Sequence, residues 1–136
     1  MMEALLAVDS PWMPSLVGVF GISIALSGVW RMDPSHGYPP GTPDTTPSKP
    51  SRAHAQHDIA GVGVFGSLPA AAIVAGFTLD DSRWSLYSWV TGGTLVVLLF
   101  AFVSAMESNS PRAGTVQRIT ILVGWTWLAL LCGYLM

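Results

Sequence analysis

The sequence predicts an all-α protein, a polytopic transmembrane four-helix bundle with one long Pro-rich loop. Three observations lead there. Residues 10–30, 59–79, 84–106 and 119–136 contain no Asp, Glu, Lys or Arg; all fourteen such residues lie outside them. Each window approaches or exceeds the roughly 20 apolar residues a helix needs to cross a hydrocarbon core of about 30 Å. The apolar runs do not alternate with polar residues, and only helices or closed barrels satisfy every backbone polar group in lipid, so these are helices. The composition agrees: 51% of the 136 residues are hydrophobic and 10% charged, against about 25% charged in a soluble domain. A net charge of −2 offers no basic face, which excludes nucleic acid as a partner. The lipid bilayer is the partner implied, in the plasma membrane. Cys132 is the only cysteine, so an internal disulfide and a Cys-based metal site are excluded.

The chain reads as one integral membrane domain, 1–136. Met-Met-Glu-Ala at the start lacks the positive region of a cleaved signal peptide, so the first apolar run is expected to be retained. Span 1 is expected at 13–30, with Pro11 and Pro14 where a helix start tolerates proline. Trp12 and Trp30 stand at the interfaces. Ser23 and Ser27, and likewise Gly21 and Ala25, are four apart, a spacing that lets helices approach closely.

Residues 31–58 form the one long loop. It holds six of the ten prolines and all three histidines, His36, His54 and His57. Pro34 forces Asp33 out of the helical region and ends span 1. Gly37 and Gly41 permit positive φ, so the loop start should be ordered and folded back. The Pro/Thr/Ser-rich stretch 41–51 should be extended or disordered.

Span 2, expected at 59–78, is rich in Gly and Ala. A helix with so little bulk suits the middle of a bundle, where small residues let backbones approach. Pro69 near its centre should kink it, as a packing feature in preference to a hinge or a cavity wall. A tight turn, Asp80-Asp81-Ser82-Arg83, leads to span 3 at 86–106, whose bulky residues from Leu95 to Phe102 should face lipid. After a second loop at 107–115, span 4 is expected at 116–136, with Trp125 and Trp127 inside it. Arg31, Lys49, Arg52, Arg112 and Arg118 lie on the side of the two longer loops, and only Arg83 lies with the termini. The positive-inside rule then places those loops in the cytoplasm and both termini outside.

Four antiparallel helices bring the end of span 1 and the starts of spans 2 and 4 to one membrane face. Asp33, His57, Asp58 and Arg118 can converge there and are the candidate catalytic residues. Charges beside hydrocarbon need partners, and Arg118 with Asp58 or Asp33 is the natural pair. Three roles are open. His54, His57 and Asp58 are spaced i, i+3, i+4 and share a helical face if the helix begins early, with His36 as a further metal ligand; no motif fixes that spacing. His57 paired to Asp58 or Asp33 could do acid–base work, although no Ser-centred nucleophile motif accompanies it. The third role, a structural latch pinning the loop to the helix ends, is preferred to both. Haem is disfavoured because no histidine lies within an expected span, and no cofactor is expected.

Asp33-Pro34 followed by Gly37-Tyr38-Pro39, then His57-Asp58 opening a Gly/Ala-rich span, Leu86-Tyr87-Ser88 opening the next, and Gln117-Arg118 before a Trp/Leu-rich last span together resemble the prokaryotic membrane family called domain of unknown function 998. The resemblance covers residues 17–136. It implies a polytopic membrane protein of about six helices with no assigned activity, so the first two would be absent here. It assigns no role to Asp33, His57, Asp58 or Arg118. The acidic turn at 80–83 departs from the basic one common in the family. Exposed small-residue faces would then favour association with partner helices or a homo-oligomer, most simply a dimer. In order of preference the chain is expected to be a structural, accessory or sensing membrane protein, a small transporter component, or a membrane-embedded His/Asp hydrolase or metalloenzyme. The lack of charges within the spans sets that order, because pumps and ion pathways usually carry some.

Overall fold

The computed structural model describes residues 10–136; the expectation about the first nine residues lies outside them. Four helices follow one another: α1 (Trp12–Val29), α2 (Arg52–Thr78), α3 (Ser82–Glu107) and α4 (Ala113–Leu135). No strand is present among the described residues, and all four helices are long and apolar enough to cross a membrane. The chain is an all-α transmembrane bundle.

Helix starts differ most from expectation. α2 begins at Arg52, seven residues ahead of Ile59. Ser51 is extended and its side chain accepts from the His54 N–H, an N-cap that satisfies one of the donors a helix start leaves unpaired. His54 and His57 are therefore helical residues, contrary to the expectation that they lie in the loop. Asp81 likewise caps α3, its carboxylate accepting from the N–H groups of Arg83 at 2.8 Å and Trp84 at 3.2 Å, which moves that start from 86 to 82. α4 starts at Ala113 and not at 116. α1 matches closely: Pro11 is its cap residue, and the Trp30 N–H closes it on Leu26 O.

α2 occupies the middle of the bundle. Half of its most apolar window is buried, against 17% for α1 and α3 and 22% for α4. Its small residues make this possible. A Cβ on Gly63 would collide with the Ser23 side chain of α1, and one on Gly92 of α3 would stand 2.8 Å from Ile73 Cγ1 and 3.1 Å from Ile73 N. Lipid tails are as apolar as leucine, so close backbone approach is what holds such helices together. Pro69 is buried in this packing, and its carbonyl faces Gly92. The space beside it, about 10 Å³, holds at most one water.

Two expectations need correction. Ser23 is buried against α2, but Gly21 and Ala25 face outward, with nothing near Gly21; only one of the two small-residue pairs on α1 makes a helix contact. The stretch 41–51 is also more ordered than expected. Pro43 and Thr45 carbonyls accept from the N–H groups of Gly37 and His36, so it lies against the loop start. Gly37 and Gly41 do adopt positive φ, +74° and +93°, and the Tyr38–Pro39 bond is cis.

The core gathers Met13, Leu68, Ala71, Ala72, Ala75, Leu95, Trp127 and Leu131. Trp127 is fully buried and its indole N–H donates to Ser88 Oγ at 3.1 Å, joining α4 to α3. Leu95 points inward, while Val97 and Phe100 face outward as expected for a lipid-facing helix.

Candidate functional site

A helix leaves its last four carbonyls without intrahelical donors. At the end of α1, the Ser27 and Trp30 carbonyls are met by one atom, His57 Nδ1, at 3.0 and 2.9 Å. Both partners are acceptors, so Nδ1 carries the proton and donates. One turn earlier on α2, His54 does the reverse. Its Nδ1 lies 3.0 Å from Asp33 N, a donor, and therefore accepts. The proton of neutral His54 is then on Nε2, which stands 3.4 Å from the Asp58 carboxylate. Two histidines three residues apart thus hold opposite tautomers, each set by a backbone partner.

Asp33 ties the loop at both ends. Its N–H goes to His54, and its carboxylate accepts from Ser51 N at 2.6 Å. The hydrogen bonds from the Ser51 backbone and side chain hold the Asp33 carboxyl below its ordinary value of 3.8, with a smaller contribution from His54; partial burial opposes them. Asp33 Oδ2 is 3.8 Å from His54 Nδ1. The ring of His54 is buried, only 3% exposed, whereas Asp58 is exposed.

Of the expected residues, Asp33, His54 and Asp58 come together, and His57 lies beside them with its Nδ1 turned to α1. Arg118 does not join. It is exposed on α4 and makes no ion pair among the described residues; His54 takes the place expected for it between Asp33 and Asp58. The metal arrangement weighed as an alternative to the latch does not form either. Among the described residues no group of three or more His, Cys, Asp or Glu is placed to hold a metal. His36 sits apart, at φ +49° with its Nε2 buried and unpartnered. Sequence reasoning overlooked Ser51. Its signal was present, a serine just after Pro50 and before a proline-free run of helix-compatible residues.

The clefts between helices are apolar. One of about 230 Å³ lies between α1 and α4, lined by Phe20, Ile24, Trp125, Leu128 and Ala129. Neither it nor the small space beside Pro69 touches Asp33, His54, His57 or Asp58.

Residues 5–134 match the model of a protein family described as "Protein of unknown function (DUF998)". The chain belongs to this family. The match takes in all four helices and the polar cluster, and extends the resemblance seen in the motifs toward the N-terminus. No curated protein and no solved structure matches the chain. This DUF998 member is a multi-pass integral membrane protein with a His/Asp cluster at one end of its bundle.

Proposed function

We propose that the chain is an accessory or sensing component of the plasma membrane, and that its His/Asp cluster is a latch between the long loop and the ends of α1 and α2. One observation carries this: the Nδ1 atoms of both histidines are engaged by backbone groups. A general base must reach a substrate proton directly or through one water. His54 is buried, its Nδ1 taken by the Asp33 N–H and its Nε2 facing the Asp58 carboxylate at 3.4 Å, which favours a holding role for it over a catalytic one. The positive-inside rule places the latch on the cytoplasmic side and both termini outside; a reporter fused at Met136 that is active in the cytoplasm would reverse that orientation. The bilayer is its solvent, and a second copy of the chain is its simplest protein partner, which a detergent-corrected mass measurement in solution checks.

The test of the latch is turnover. The protein in lipid nanodiscs is incubated with phospholipid and ester substrates, and products are followed by mass spectrometry beside His57→Ala and Asp58→Asn. Equal, background-level product from all three supports the proposal. Product that forms with the unaltered chain and disappears with either substitution overturns it in favour of a hydrolase.

A further inference from the structure

The opposite tautomers of His54 and His57 give the cluster a property that neither has alone. Histidine is the side chain whose charge ordinarily changes between pH 5 and 8. When His57 takes up a proton, Nδ1 still donates to the carbonyls of Ser27 and Trp30, and the positive ring sits at the negative end of the α1 dipole. Its contact survives. When His54 takes up a proton, Nδ1 gains a hydrogen. It then confronts the Asp33 N–H as a second donor across 3.0 Å, and that hydrogen bond is lost.

From this we infer that His54 is a proton-operated release for the loop at 31–51, with His57 as the anchor that holds through the change. The inference rests on the latch described above. Two carboxylates receive the protonated ring: Asp58 beside Nε2 at 3.4 Å, and Asp33, whose Oδ2 is 3.8 Å from Nδ1. The new Nδ1–H draws the Asp33 carboxylate from Ser51 N, the contact that fastens the far end of the loop to the start of α2. One proton thus loosens Asp33 N–H and Ser51 N–H together. Among the described residues no further charged side chain pairs with the cluster, and His36, the histidine of the loop itself, sits apart from it. α1 contains no titratable residue. Among the described residues Arg31, Lys49, Arg52, Glu107, Arg112 and Arg118 form no ion pair with the cluster.

The experiment is amide exchange by NMR on the full chain in micelles, at about pH 7.5 and about pH 5, with rates corrected for the intrinsic pH dependence. Protection at Asp33 and Ser51 should fall about tenfold at the lower pH, the scale of one backbone hydrogen bond, while amides in the middle of α2 hold theirs. His54→Asn keeps an acceptor near the Nδ1 position but cannot take up a proton, so its loop should stay protected at both pH values. His57→Asn should retain the pH response. A loop whose protection is the same at both pH values overturns the inference, as does a full response in His54→Asn. Neither result touches the turnover test, which fails or succeeds independently.

Discussion

At the end of the bundle where α1 gives way to the long loop, the contacts are polar and join distant parts of the chain: Asp33 to Ser51 across 18 residues, and His57 to Ser27 across 30. At the opposite end, where α2 turns into α3, they are mainly apolar and aromatic, with the Ser85 hydroxyl donating to the Gly76 carbonyl. Trp84 packs on Tyr134 with ring centroids 4.6 Å apart, Phe77 on Trp89 at 4.1 Å, and Met13, Ala75 and Leu131 close the core beneath them. Only the capping Asp81 contributes a charge to that turn's own hydrogen bonds. The contrast separates two tasks. The aromatic end gains from burial and packing, which pH does not alter. The polar end depends on which nitrogen carries a proton, so it can open while the rest of the bundle stays packed.

The largest expected effect is at the packed end. Trp127→Ala removes a fully buried side chain and the donor to Ser88, and should cost about 3–5 kcal/mol, read as a lowered unfolding midpoint in detergent. If that loss were no greater than for an outward residue such as Leu122, the core would lie elsewhere. Gly76→Leu comes next. A Cβ there already meets the Trp89 ring at 2.8 Å, and overpacking of this kind costs about 1–3 kcal/mol. Gly21→Leu, with open space around it, should leave the midpoint nearly unchanged, so the pair sharpens the distinction between packed and open helix faces.

At the polar end, His57→Ala leaves the Ser27 and Trp30 carbonyls without their donor. About 1–3 kcal/mol of local stability should go, seen as faster tryptic cleavage after Arg31 and Arg52 with the spans still intact. Unchanged cleavage would remove His57 from the latch. A smaller loss, about 1 kcal/mol, is expected for Asp81→Ala, which deletes a helix cap; circular dichroism during thermal unfolding measures it.

Acid separates the two polar anchors further. The Asp33 carboxyl titrates below its ordinary value of 3.8 in the folded chain. Its contact with Ser51 therefore contributes in full above that ordinary value and is lost through Asp33 itself only as pH falls through the lower folded value. Loosening of the loop well above that ordinary value is then not the work of the Asp33 carboxyl, and loosening only below about pH 4 would point to Asp33.

How much of this was legible beforehand depended on whether the cause was local. The spans could be read because lipid excludes charge over a fixed thickness, a constraint visible in fourteen charged residues and where they do not occur. The placement of α2 in the middle followed from its glycines and alanines, and the turns at Gly37 and Gly41 from backbone sterics. The early start of α2 was less visible, since the Ser51 cap sits among residues that also suit a loop. Arg118 as the partner of Asp58 was a reasonable pairing by charge, but nothing in the sequence could say that a histidine stood closer.

The sequence by itself determined the solvent, the number of crossings and the membrane face where the ionisable residues gather, because hydrophobic length and charge exclusion act on each segment separately. Only the tertiary structure decided which side of α1 meets α2, which residue lies between Asp33 and Asp58, and which nitrogen of each histidine holds its proton. Those depend on backbone groups far apart in the chain, and a hydrogen bond assigns donor and acceptor only once the two are brought face to face.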